Sequence, residues 1–387
     1  MLIAIILSAI FVVLFSILLF KNNLLNVAVF CLITFITYSI CFTCLGVSRY
    51  CSSYYTEYWN NYKTKVEYYE SWNEEVQCKH HKYKTVKVRN SDGTYSEREE
   101  EDGYKHSYDV EEHSEEYRAQ LNDGCSISID KSDYLKWSSR WGSIQFVDMY
   151  RHYHNKDGDK YESEWNKNFD DLAYYISFHK YENRLRKSNS IFNYKSNLIS
   201  KEKTEEFEHP ANKEIRRAFF DKSGYLNTDY NDLLCRYNAL IGYKEQIHMM
   251  IYVFPSEKYS EDIVYDIRSV WNGTNKNELA IFYGINKSKE IVWCACLSWL
   301  DDTTLHAKIR QTAFDMSLFD GKAIIENNVA LVQRYWQRKS FKDFEYIKVD
   351  YSIYTYIIMA VFINIYYIIQ IIVLFNLRDK RKRNRWT

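Results

Sequence analysis

The sequence predicts a membrane-anchored α+β protein: an N-terminal helical hairpin, a β-rich region, an α/β region with a sheet covered by helices, and a C-terminal transmembrane helix. Three observations predict it. Long apolar runs stand at the two ends of the 387-residue chain. From Tyr54 to about Leu185, polar residues alternate with aromatic and β-branched ones, the period of half-buried strands. After Asn227, helically spaced apolar residues alternate with short continuous apolar runs, as in helices packed on a sheet.

The apolar runs come first. Leu2 to Phe20 and Leu24 to Val47 are separated by Lys21, Asn22 and Asn23. Each reaches the roughly 20 residues that cross a hydrocarbon core. A signal peptide is the alternative for the first run, but no basic segment precedes it. A third run spans Tyr351 to Leu377, opening with Tyr351, Tyr354 and Tyr356 and containing Asn364 and Gln370. Arg378, Lys380, Arg381, Lys382, Arg383 and Arg385 follow directly. The positive-inside rule makes that tail cytoplasmic and the folded region extracytoplasmic, with Arg49 as a contrary signal. The expected organisation is a transmembrane hairpin at 1–47 (helices 2–20 and 24–47), a β-rich region at 48–187, a connector at 188–227, an α/β region at 228–350, a third span at 351–377 and a basic tail at 378–387. The bilayer is then one partner, and Asn364 and Gln370 offer contacts for a homo-oligomer.

Within the β-rich region, Lys63 to Glu70 and Gln77 to Arg89 read as strands, and Asn90-Ser91-Asp92-Gly93 as a hairpin turn. Glu97 to Glu101 reads as a solvated strand end or loop. A helix from Ser132 to Gly142, a hairpin of Phe146–His154 with Lys160–Trp165, and a strand from Leu172 to Arg184 complete the region. In the α/β region, Thr228 caps a helix stopped by Gly242. Strands follow at Ile247–Phe254, Glu278–Ile285 and Glu290–Trp299, the last with the two apolar faces of a central strand. Helices are expected at Glu261–Trp271, Thr303–Met316 and Asp320–Gln337.

Composition narrows the function classes. The 51 basic and 51 acidic residues cancel, so global charge gives no reason to expect nucleic acid. Only two prolines and 11 glycines argue against a linker-rich chain. The 36 tyrosines suit strands and contact surfaces. Six cysteines lie between the apolar runs: Cys51, Cys78, Cys125, Cys235, Cys294 and Cys296. The even count fits an oxidising compartment without fixing any pairing.

Candidate chemistry is sparse. No Walker loop, G-x-G-x-x-G, G-x-S-x-G or H-E-x-x-H occurs. Asp301 and Asp302 follow a strand and precede a helix, where carboxylates hold a hard cation or simply cap the helix. Asn275, with Asn277 and Glu278, is a candidate at the same sheet end or a polar turn. Cys78, His80 and His81 form a short metal-like cluster in which Cys78 and His80 share a strand face, as do His152 and His154, and zinc needs four such donors at close range. Asn155-Lys156-Asp157-Gly158-Asp159 lacks the full spacing of a calcium loop and reads as a turn.

Two resemblances add to this. Thr56-Glu57-Tyr58-Trp59, Met149-Tyr150-Arg151-His152-Tyr153, Tyr181-Glu182-Asn183-Arg184, Arg236-Tyr237-Asn238-Ala239-Leu240, Trp271 through Leu279, Val292-Trp293-Cys294 and Leu297-Ser298-Trp299 resemble an uncharacterised membrane protein family of large tailed bacteriophages. In outline, Asp262 to about Arg338 resembles the TPM domain, a membrane-tethered α/β module with members described as phosphatases or repair factors. The glycine-rich stretch of that family is replaced here by Ser298-Trp299. The leading expectation is a non-enzymatic, virus-encoded membrane protein binding an envelope partner. The TPM resemblance implies instead a metal-dependent phosphatase-like enzyme using Asp301, Asp302 and Asn275 with a divalent cation. A structural membrane organiser is the third expectation.

Overall fold

The computed structural model describes residues 54–91, 93–184, 207–210, 216–300, 303–344 and 346–347, with single helical residues between Ile36 and Val47 and between Tyr354 and Ile369. These residues form an α+β fold of two main sheets and five α-helices.

The first sheet is built on β1 (Tyr54–Tyr69), a 16-residue strand. Its first half pairs antiparallel with β10 (Tyr174–Glu182), from Tyr54 opposite Glu182 to Tyr62 opposite Tyr174. Its second half lies between β6 (Glu116–Leu121) and β9 (Lys160–Glu164). The edges are β7 (Ser126–Ser128) on β6 and β8 (Ile144–Val147) on β9. Helix α1 (Lys131–Trp141) closes one face, burying Tyr134 and Trp141 against Val66, Ala119 and Ala173. Asp130 caps α1 by accepting from Asp133 N, and Gly142 ends it in a left-handed turn. The helix was expected to start at Ser132, which bonds only the Asp130 side chain.

Between β1 and β6 the chain leaves the sheet as an arm. Strand β2 (Trp72–Gln77) pairs with β5 (Tyr108–His113), and β3 (His81–Arg89) pairs with β4 (Tyr95–Tyr104). The hairpin turn closes where expected, with Gly93 N donating to Asn90 O at 3.1 Å. The acidic residues Glu97 to Glu101 lie inside β4, and every residue of that strand is exposed. The second expected hairpin is looser than its sequence suggests. Strand β8 ends at Val147, and a long loop containing His152 and His154 precedes β9. Gly158 in that loop has φ of 66°, and a Cβ there would lie 2.7 Å from Glu70 O, so only glycine fits this close approach.

The second sheet has the order β11 (Phe219–Asp221), β12 (His248–Pro255), β13 (Glu278–Ile285), β14 (Ile291–Ser298). The first three strands are parallel and β14 is antiparallel. Alternation assigns the faces. Met249, Ile251, Val253, Leu279, Ile281 and Tyr283 pack under α2 (Asn231–Glu245), α4 (Thr304–Met316) and α5 (Gly321–Tyr335). Met250, Tyr252, Phe254, Ala280 and Phe282 pack under α3 (Ile263–Trp271). Strand β13 has the expected bounds. Three expectations are corrected. Strand β11 lies inside the expected connector. Strand β14 is an edge strand, and its Val292 is exposed. Helix α2 starts three residues after Thr228 and continues through Gly242. That glycine packs on β1, where a Cβ would lie 2.6 Å from Asn60 Cβ.

The expectation of a multi-pass membrane protein is also corrected. Among the described residues no helix is long and apolar enough to cross a membrane. The longest, α2 and α5, have 15 residues each and carry charged faces, short of the roughly 20 apolar residues a span needs. The runs 2–20, 24–47 and 351–377, with Asn364 and Gln370, and the tail 378–387 lie outside the described residues apart from the single helical positions noted above. The extracytoplasmic placement and the cytoplasmic tail depended on those spans and fall with them.

Candidate metal centre at the root of the arm

The arm's ladder is interrupted once. Gln77 still pairs with Tyr108, and His81 with Tyr104, but residues 78–80 and 105–107 lie outside any strand. One backbone–backbone hydrogen bond, Lys105 N to His80 O at 2.8 Å, crosses the gap. Cys78, His80, His106 and Asp109 converge there, each offering one ligand atom, all within 4.8 Å of one another.

Cys78 Sγ lies 3.9 Å from both His80 Nδ1 and His106 Nε2. Asp109 Oδ1 lies 3.2 Å from His80 Nδ1. The backbone orients these donors. His80 N donates to Cys78 Sγ at 3.3 Å, and Lys79 N donates to Asp109 Oδ2 at 2.8 Å, leaving Oδ1 toward the imidazoles. His106 Nδ1 sits 3.0 Å from Tyr108 O and 3.1 Å from Asp109 Oδ1, with Nε2 turned toward the sulfur. The Lys79 N–H, with His80 beside it, lowers the Asp109 carboxyl below its ordinary range. Cys78 is 2% exposed and belongs to none of the hydrophobic clusters.

The sequence paired Cys78 with His80, and the structure brings those two together, although at a break in the ladder and not on a strand face. It does not add the other expected pair. His152 is exposed in the loop after β8, while His154 Nδ1 bonds Glu75 at 2.8 Å and its ring packs on Tyr108. His106 and Asp109 were missed. Their signal was present: folding the chain about the turn at 90–93 sets 105–109 opposite 76–80.

The other candidates fare differently. Asp301 and Asp302 lie outside the described residues. Asn275 is buried at the first turn before β13, where its Nδ2 donates to Glu278 Oε1 at 2.6 Å and its Oδ1 accepts from Tyr181 at 3.1 Å. Glu278 is fully buried. Burial alone would raise its carboxyl, but His209 at 2.9 Å and the Asn275 N–H outweigh that and hold it down at about 2. His248, also buried, is pushed down to about 4 by desolvation, and its Nδ1 meets the Asn60 amide at 3.0 Å. This network joins the two sheets: Asn60 also donates to Ile247 O at 3.0 Å, and Asn277 donates to Tyr58 O at 2.6 Å. It lies at the N-terminal ends of β12 and β13, whereas open parallel sheets bind ligands at the C-terminal ends of their strands.

Asp148, Asp157 and Asp159 form a second group that could hold a cation, all from carboxylate oxygens. At the far end of the β2–β5 ladder, a cavity of about 280 Å³ is lined by Tyr69, Trp72, His113, Arg118 and Arg151, with the Arg151 guanidinium 4.8 Å over the Trp72 ring. Cys78, Cys125, Cys235, Cys294 and Cys296 are all free thiols, and burial pushes Cys235 up to about 12.

No protein-family model matches the chain, and no curated protein matches it. The expected kinship with bacteriophage membrane proteins is not carried further.

Proposed function

We propose that the chain is a partner-binding protein rather than an enzyme, and that β3 and β4 are its recognition element. One observation carries this reading: among the described residues no helix and no third strand covers the outer hairpin. Every residue of β4 is exposed, as are most of β3. An isolated two-stranded hairpin is marginal in water, and its outer edges offer unpaired backbone groups to an incoming strand. Glu101 and Asp102 on β4 pair with His81 and Lys84 of β3, while Glu97, Glu99 and Glu100 on the same exposed strand suit a basic extended segment of a protein partner. Against catalysis, Asn275 has its amide engaged by Glu278 and Tyr181.

Photo-crosslinking residues placed at Tyr83 and Tyr95 on the arm, and at Tyr265 on α3, test this. All three positions are exposed. Adducts of discrete mass are expected at the arm positions, lost when Glu99 and Glu101 are changed to Lys. Equal yields at Tyr265, or indifference to the charge reversal, would defeat the reading.

A further inference from the structure

We propose that Cys78, His80, His106 and Asp109 bind one zinc ion, which clamps the two strands of the arm at the break in their ladder. The inference rests on the geometry of the arm root and not on the partner reading.

Four features carry it. The first is spacing. Zinc binds sulfur at about 2.3 Å and nitrogen or oxygen at about 2.0–2.2 Å in a tetrahedron, so sulfur and nitrogen ligands sit about 3.6 Å apart, and nitrogen and oxygen about 3.4 Å. The observed separations are 3.9 Å for sulfur to each imidazole and 3.2 Å for His80 to Asp109. These three edges lie within a few tenths of an ångström of the tetrahedral values, and all four ligand atoms lie within 4.8 Å of one another. The second is the donor set. A thiolate with two imidazoles suits zinc and not calcium or magnesium, which take oxygen. The thiolate and carboxylate together carry two negative charges, which the ion's two positive charges balance.

The third is the outer layer of hydrogen bonds. The Lys79 N–H on Asp109 Oδ2, the His80 N–H on Cys78 Sγ and the Tyr108 carbonyl beside His106 Nδ1 each fix one ligand with its coordinating atom turned inward. The fourth is the position of Cys78. It is buried, yet among the described residues it belongs to no hydrophobic cluster, so apolar packing does not account for it. The group Asp148, Asp157 and Asp159 has no thiolate, imidazole or comparable outer layer, and carries no such inference.

Four protein ligands leave no coordination position for water, so the ion's role is structural. The ligands come in two pairs, 78–80 entering the outer hairpin and 106–109 leaving it. Joining them restores the cross-strand connection that the ladder loses at 78–80 and 105–107. The outer hairpin then projects from β2 and β5 in a fixed direction.

The full chain, stripped of metal by chelation under a non-thiol reductant, is titrated with cobalt(II) and then zinc. One equivalent of cobalt should give the visible bands of a tetrahedral site and a thiolate charge-transfer band, both abolished by zinc. Cys78→Ser should weaken zinc by more than roughly 100-fold, beyond the usual effect of losing an outer-layer bond. Cys125→Ser and Asp157→Asn should bind as the parent does. Zinc should slow amide exchange across residues 81–104 and leave β12 and β13 unchanged, which also shows that each variant is folded. Octahedral cobalt spectra, unaltered affinity in Cys78→Ser, or arm exchange indifferent to zinc would each overturn the assignment.

Discussion

Strands β13 and β4 are both regular, yet opposite forces hold them. Every residue of β13 is buried, between helices on both faces and strands on both edges. Every residue of β4 is exposed, with one strand partner and no helix. The first is fixed by hydrophobic burial, worth roughly 25 cal/mol per Å². The second has only its ladder and its root. Stability should therefore reside in the α/β sheet and change little with the arm, while the arm's order should follow local events at residues 78–80 and 105–109.

The sharpest test removes a core side chain. Phe282 is fully buried beneath α3, in ring contact with Tyr252, Phe254 and Trp271. Phe282→Ala should cost about 3–5 kcal/mol in urea unfolding, through lost burial and the cavity left behind. A loss below about 1 kcal/mol would break the comparison, because β13 would then be no better packed than the arm.

The next effect is acid destabilisation of the junction between the sheets. Folded His248 stays neutral to about pH 4, while an exposed histidine protonates near 6.5. The unfolded chain therefore binds the extra proton between those values, and stability falls as pH drops through them. Glu278 acts in the next window down. Its folded carboxyl titrates at about 2 against an ordinary 4.5, so its contribution is present above 4.5 and lost as pH falls toward 2. Each shift corresponds to about 3 kcal/mol at most. His248→Gln should flatten the upper window and weaken the lower one, because the His248 charge also helps hold the Glu278 carboxyl down. An unchanged slope between pH 6.5 and 4 would remove His248 from the account.

How much of this was legible depends on how local each cause is. The bounds of β13 were readable because a continuous apolar run lies between Asn275-Lys276-Asn277 and Asn286, both turn signals. The turn at 90–93 was readable from its own residues. Strand β11 was not: Phe219–Asp221 is a strand only because it pairs in parallel with Ile251–Val253, some 30 residues away. Gly242 was misread because glycine signals both a helix stop and a close approach, and Asn60, far off in sequence, decides which. The same holds at the arm root. Cys78 and His80 are neighbours and were seen, whereas His106 and Asp109 join them only after the hairpin is closed. The end runs were read from hydropathy, the basic tail and the tyrosines at 351–356, and they lie outside the described residues apart from scattered helical positions.

Gly158→Ala probes where the body of the first sheet meets the arm. The left-handed backbone and the approach to Glu70 O and Trp72 Cβ at 2.7 and 2.6 Å leave no room for a methyl group. A cost of about 1–3 kcal/mol is expected. It should be accompanied by faster amide exchange in β2, since this loop bonds Asn73 through Lys156 O at 3.0 Å. Faster exchange in β12 instead would mean that the two sheets are coupled through this loop.

The smallest effect is expected on the arm itself. Tyr95 opens β4 opposite Arg89 and is 68% exposed. Tyr95→Ala removes a large ring that little of the fold covers, so its global cost should stay within about 0.5 kcal/mol, as for most surface substitutions. Its urea m-value should also hold, because m follows the surface exposed on unfolding and this ring is already in solvent. The discriminating readout is local. Amide exchange in β3 and β4 should quicken, because the ring sits beside the backbone hydrogen bonds at the turn end of the ladder, while β12 and β13 stay protected. A global loss above about 1 kcal/mol would mean that the hairpin is packed against the body in solution. The contrast between a buried strand and a free one would then fail, and with it the argument that these edges are available to a partner.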